Sequence, residues 1–171
     1  MHLDGARLPN ALVTTGASPA DMSWKAGVDI LTFGLTKNGA LGCEIIIFFG
    51  KARRKSDELQ ARAKRSGHMP PKMRFLAAQA IALLQDGLWM ELAAHANAIA
   101  KRLGAGLEEK GVTLAFPVEG NEVFAQLSEQ QVSDLREAGV VFHPWPDGSM
   151  RFVCSWATLG EDVTGLVSVL K

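Results

Sequence analysis

Two apolar runs, residues 28–33 and 43–49, bracket a short loop that is punctuated by Gly34, Gly39 and Gly42 and carries one lysine, Lys37. Both runs are short and rich in β-branched and aromatic residues, which suits strands, and the second reads as a buried strand. Upstream, Met1-His2-Leu3 is a further apolar stretch, and it ends at Asp4-Gly5. Between the first two strands, Leu8–Thr15 reads as a turn of helix. Ser18-Pro19 then opens a second short helix, with Ser at the N-cap and Pro at the first helical position. Gly27 ends that helix just after Ala26. Strand, helix and strand form a βαβ unit, in which the strands run parallel with a right-handed crossover. Chemistry in such sheets collects at the carboxyl ends of the strands, where Asp4 and Lys37 both fall. The predicted fold class is therefore α/β.

The pattern then becomes helical. Residues 51–65 carry seven basic side chains against Asp57 and Glu58. This reads as a solvated basic helix or loop, with a phosphate or nucleic-acid site as the alternative. Pro70-Pro71 stops it. A long helix starts at Lys72 with Met73, Leu76, Ala77, Ala80, Ile81 and Leu84 in helical period. Asp86-Gly87 interrupts it, and Leu88, Leu92, Ala96, Ile99, Leu103 and Leu107 continue the period to Gly111. From Val112 the pattern is a small α+β unit. Its strands are predicted at 113–117, 123–127, 140–143 and 150–156. Its two helices open on capping boxes, Ser128-Glu129-Gln130-Gln131 and Thr158-Leu159-Gly160-Glu161. The domain boundary is placed between residues 86 and 87, giving 1–86 and 87–171.

Composition narrows the function classes. A net charge of +0 over 171 residues gives no global pull towards nucleic acid or membrane. No apolar stretch approaches the ~20 residues of a membrane span, and there is no signal-peptide pattern, so a cytoplasmic protein is the default. Cys43 and Cys154 lie in apolar runs and read as buried free thiols. His68, His95 and His143 lack metal-ligand spacing, so no metal is predicted. The four tryptophans read as packing residues.

Four side chains carry chemistry on their own terms. Lys37, at an apolar strand end, suits a nucleophilic amine whose pKa is lowered by desolvation; the alternative is an ordinary loop lysine. A phosphate-loop reading fails, because the lysine precedes the second glycine and no Ser or Thr follows it. Asp4 offers a carboxylate on the strand face that also carries His2; a turn or N-cap aspartate is the alternative. Arg151 alternates with Met150 and Phe152 and so faces away from their apolar side. There it can clamp a carboxylate through paired hydrogen bonds or form a surface salt bridge. Arg74 lies on the polar side of its helix start.

An Asp and a Lys on successive strand ends are the two protein groups that pyridoxal phosphate chemistry needs. The motifs His2-Leu3-Asp4-Gly5-Ala6-Arg7, Thr36-Lys37-Asn38-Gly39, Lys72-Met73-Arg74-Phe75-Leu76-Ala77-Ala78-Gln79, Asn121-Glu122-Val123-Phe124 and Met150-Arg151-Phe152-Val153 occur in this order. Together they resemble the second half of the low-specificity L-threonine aldolases, in the beta-eliminating lyase group of fold-type I pyridoxal phosphate enzymes. The resemblance implies the last part of a cofactor-binding large domain followed by a small C-terminal domain. It implies pyridoxal 5'-phosphate held by Lys37, with Asp4 at the pyridine nitrogen. Arg7 reaches the cofactor phenolate or the substrate carboxylate, Arg74 stands near the phosphate, and Arg151 takes the substrate carboxylate. The implied reaction is cleavage of L-threonine or L-allo-threonine to glycine and acetaldehyde, in a homo-oligomer that pairs active sites across subunits.

The same resemblance implies an N-terminal half of similar length. That half would carry the phosphate cradle, the side chain that stacks on the cofactor and a histidine base. The fragment alone is therefore expected to be inactive. The alternatives are a non-catalytic assembly domain, or a related lyase or aminotransferase with the same cofactor.

Overall fold

In the computed structural model, residues 1–170 are described, and they divide into two compact units, Met1–Glu91 and Leu92–Lys171. In the first unit, β1 (His2–Gly5), β2 (Ile30–Gly34) and β3 (Glu44–Phe48) form a three-stranded sheet in the order β1-β2-β3. β1 and β2 are parallel, with Asp4 opposite Thr32, and β3 returns antiparallel, with Glu44 opposite Gly34. The carboxyl ends of β1 and β2 and the start of β3 thus share one end of the sheet.

Side chains alternate across this sheet. Leu31 and Phe33 are buried on one face, where α1 (Leu8–Thr15) contributes Leu8 and Leu12. The ring of Phe33 meets Trp89 edge-on at 5.6 Å. His2, Thr32, Ile46 and Phe48 lie on the other face, beside Leu59 and Arg62 of α2 (Ser56–Arg65).

Three local expectations change here. Residues 18–26 form turns and one 3₁₀ segment, Trp24–Ala26, instead of a helix. The segment is too short to propagate, and the Ser23 hydroxyl donates to the Pro19 carbonyl. β3 is not fully buried: among the described residues it is an edge strand, and Ile46 is 46% exposed. Its continuous apolar run mimics a central strand, and only its pairing partners tell the two apart. The helix expected at Lys72 begins two residues later, as α3 (Arg74–Leu84), because Lys72 has φ 61, outside the helical region.

Asp86, at φ 55, kinks the chain between α3 and α4 (Leu88–Glu109). The second unit packs α4, α5 (Glu129–Glu137) and α6 (Gly160–Val169) with a four-stranded antiparallel sheet. Its order is β4-β5-β7-β6, from β4 (Thr113–Leu114), β5 (Glu122–Gln126), β6 (His143–Pro144) and β7 (Met150–Val153). β4 is shorter than the sequence pattern implies, and β6 is both shorter and displaced: residues 140–142 lie outside it, and Pro144, expected to stop the strand, pairs with Met150. Ile99, Leu103 and Leu107 of α4 meet Val123, Ala125 and Phe152 of the sheet and Leu135 and Val163 of the other helices in one core.

The tryptophans are not mainly interior: Trp24, Trp145 and Trp156 are 54%, 39% and 45% exposed. Their polar N–H tolerates such half-wet positions.

Candidate active site

The first unit gathers chemistry where β1 and β2 end. Asp4 is exposed on the last turn of β1, and its Oδ1 accepts the Ala6 N–H at 3.0 Å. Gly5 follows because a Cβ there would stand 2.8 Å from the Thr32 carbonyl oxygen. Gly34 closes β2 in the same way: a Cβ would come 3.0 Å from the Ala6 Cα. The exits of the Asp4 strand and the lysine strand therefore touch backbone to backbone. Arg7, half-buried, occupies the N-cap position of α1 just beyond.

Lys37 is the middle residue of a 3₁₀ turn, Thr36–Asn38, directly after β2. Its side chain is exposed, and among the described residues no ion pair or hydrogen bond engages its ammonium. Its two neighbours are tied down. The Thr36 hydroxyl donates to Glu44 at 3.1 Å and accepts the Cys43 N–H at 3.1 Å. Asn38 is 4% exposed and donates through Nδ2 to the Trp89 carbonyl at 2.9 Å. The turn is held on both sides of a free amine. Beyond it, Gln79 of α3 accepts the backbone N–H of Leu41 at 2.8 Å and of Gly42 at 3.4 Å.

Arg74 is exposed at the start of α3, its guanidinium over the Phe75 ring at 5.5 Å. It is Gln79, not Arg74, that carries α3 to the lysine loop.

In the second unit, Arg151 projects from the sheet face opposite the core, with Phe124 and His143 as its cross-strand neighbours. Two contacts hold its guanidinium. Nη1 pairs with Glu122 Oε1 at 3.3 Å, and the guanidinium carbon lies 4.9 Å from the Trp145 ring centroid. Trp145 in turn meets Phe124 at 5.3 Å. Nε is buried and has no hydrogen-bond partner among the described residues. The pair with Glu122 is the salt bridge that the sequence left as an alternative, and it leaves donors unused on the same guanidinium. Asn121 serves the fold: its Nδ2 donates to the Cys154 carbonyl at 2.7 Å, where β5 and β7 begin to pair.

Sequence reasoning singled out Asp4, Arg7, Lys37, Arg74 and Arg151 but missed Thr36, Asn38, Gln79, Glu122 and Trp145. For Thr36 and Asn38 the one available signal was a polar residue next to a chosen one, and Glu122 stands 29 residues from the Arg151 it pairs with. Gln79 and Trp145 act through contacts that no local pattern encodes. Among the described residues no cluster of three metal-ligating side chains occurs, and no helix is long and apolar enough to cross a membrane.

The whole arrangement has known counterparts. Residues 1–130 match the model of the beta-eliminating lyase family. The chain is 47% identical to a low specificity L-threonine aldolase from Pseudomonas aeruginosa, over 100% of this chain and 49% of that protein. It is 45% identical to a protein of the same name from Pseudomonas sp., again over 100% of this chain and 49% of that protein. A threonine aldolase structure from Leishmania major superposes with a TM-score of 0.87 at 32% identity, covering 99% of this chain and 50% of that one. The aminotransferase LysN from Thermus thermophilus shares the fold, at a TM-score of 0.62 and 20% identity over 99% of this chain and 49% of its own. The chain spans about half the length of the curated relatives it matches.

Proposed function

The chain belongs to the beta-eliminating lyase family, and from that premise we propose that it carries the lysine-bearing part of a pyridoxal phosphate-dependent aldolase that cleaves L-threonine or L-allo-threonine to glycine and acetaldehyde. The observation that carries this reading is the sheet end itself. An unpaired lysine on an anchored turn follows β2, and the exposed Asp4 carboxylate follows from the strand in parallel register with it.

The residues fit the cofactor. Its aldehyde needs an amine that no carboxylate has claimed, and Lys37 is one. Its ring nitrogen needs a carboxylate partner, and Asp4, exposed at the end of β1 and oriented by the Ala6 N–H, offers one. Glycines at 5 and 34 keep Cβ atoms out of the junction between the two strand exits. When bound, the cofactor supplies an electron sink for the pair released as the Cα–Cβ bond breaks.

Each residue then has its own part in the reaction. Asp4 holds a proton at the pyridine nitrogen. Lys37 would hold the cofactor through its amine and would be the group that the substrate amine displaces. Arg151 grips the substrate carboxylate with the donors that Glu122 leaves unused, and so fixes which bond at Cα is presented for cleavage. Arg7 is assigned to the cofactor phenolate or the same carboxylate. Arg74, on the same helix as Gln79, is assigned to the phosphate. A homo-oligomer belongs to this reading, and size-exclusion chromatography with light scattering tests it.

The chemical test is direct. Incubation with pyridoxal 5'-phosphate, borohydride reduction and peptide mapping should place the label on Lys37. Lys37→Ala should remove both that label and the visible absorption band. A band that survives the substitution, with label on another lysine, overturns the assignment. In the active protein, acetaldehyde release from threonine, compared with turnover of serine and tryptophan, separates the aldolase from a related lyase.

A further inference from the structure

The lysine turn is gripped from α3, by a residue to which the reaction gives no part. Gln79 sits half-buried on the sixth position of α3, and its Oε1 accepts two consecutive backbone N–H groups of the loop, Leu41 at 2.8 Å and Gly42 at 3.4 Å. Its own amide is oriented by a second bond, Nε2 to the Phe75 carbonyl at 3.3 Å. One turn earlier on the same helix, the Leu76 carbonyl accepts the Cys43 thiol at 3.4 Å. The loop in question is hard to hold by packing. Its residues are Gly39, Ala40, Leu41 and Gly42, and Leu41 is 94% exposed. Small residues and glycines carry high backbone entropy, so hydrogen bonds must fix the path.

The path matters because the turn is closed by the loop. Asn38 and Ala40 donate to the Leu35 carbonyl at 2.9 and 3.1 Å, and Leu35 donates to the Cys43 carbonyl at 3.0 Å. Lys37 stands inside that ring of bonds, and Gln79 pins the ring's far side.

We propose that Gln79 is a positioning residue for Lys37: by capping the Leu41 and Gly42 N–H groups it fixes the loop whose closure aims the lysine amine. This rests on the reading of Lys37 as the cofactor-bearing lysine. Gln79→Met keeps the length and loses the acceptor, whereas Gln79→Glu keeps an acceptor oxygen for both N–H groups.

Two measurements on the full chain decide it. Amide exchange at Leu41 and Gly42 should quicken about fivefold in Gln79→Met, the loss of roughly one ordinary hydrogen bond. The share of borohydride-trapped pyridoxal phosphate found on Lys37, relative to the other lysines, should fall several-fold. Gln79→Glu should stay near wild type in both, which simple loss of helix stability does not explain. Circular dichroism checks folding, and Gln79→Ala replaces Gln79→Met if the latter does not fold. Unchanged exchange or unchanged trapping in the folded variant overturns the proposal. If the wild-type chain itself traps no cofactor on Lys37, the reading of the lysine falls first and this inference with it.

Discussion

Arg151 shows how much a single side chain depends on what surrounds it. Its guanidinium carbon lies 4.9 Å from the Trp145 ring centroid, and one of its nitrogens pairs with Glu122. A lysine at this place keeps the charge but has neither the planar face nor the fork. In the active protein, Arg151→Lys should raise KM for threonine by about tenfold, the scale of one charge-assisted hydrogen bond. Cofactor attachment at Lys37 should be unaffected. Steady-state kinetics beside borohydride trapping reads both, and unchanged kinetics moves the carboxylate to Arg7. Cys154 illustrates the opposite case, a group silenced by its surroundings. Burial pushes its thiol from the ordinary 9.0 up to about 11. Its raised folded pKa means that the folded state holds the proton more tightly than the unfolded chain. The associated stability is intact below pH 9.0 and is lost as pH climbs towards about 11. Urea midpoints taken at rising pH should fall over that window, and Cys154→Ala should flatten the fall. Cys154 should also resist thiol reagents at neutral pH until the chain unfolds.

Helix caps test what can be read locally. Ser128 and Gln131 form the expected box: the Ser128 hydroxyl accepts the Gln131 N–H at 3.2 Å, and the Gln131 side chain accepts the Ser128 N–H at 3.0 Å. Ser128→Ala should cost about 1 kcal/mol in urea unfolding, because α5 loses a partner for an orphan N–H. No change would mean that α5 is held by packing alone. The second box does not form as such, and only its backward half is present, one residue later. Thr158 turns its hydroxyl to the Ser155 N–H at 2.9 Å, and Asp162 accepts the Leu159 N–H at 2.7 Å, so Leu159 takes the N-cap position instead. Nothing in Thr158-Leu159-Gly160-Glu161 reveals the competing turn at Ser155. The same limit separates what was legible from what was not. Asp4, Lys37 and Arg151 stood out because strand ends and alternation are local patterns, and the parallel pairing of β1 and β2 follows from their strand–helix–strand order. The exposure of β3, the grip of Gln79 and the stack of Trp145 on Arg151 depend on partners distant in the chain, and periodicity does not carry that information.

The two units differ in how their apolar surface is covered. In the first, the sheet has three strands of four or five residues, and Phe75, Ile81 and Leu41 stand well exposed. In the second, α4, α5 and α6 cover one face of a four-stranded sheet. Its core runs from Ile99 to Leu170, with Leu107, Val123, Ala125 and Leu135 completely buried. Every one of those core residues belongs to the second unit, as do the caps of α5 and α6. A span of roughly 80 residues is enough for a domain to bury most of its apolar surface and fold alone. Residues 88–171, expressed by themselves from the start of α4, should therefore give a cooperative urea transition and a well-dispersed amide spectrum. The slowest amide exchange should lie in β5, β7 and the middle of α4, where the ladder bonds and the core coincide. In the full chain the same amides should outlast those of β1 and β3. The opposite order, or a fragment that gives a broad transition and collapsed amide shifts, would show that the second unit needs the first to fold.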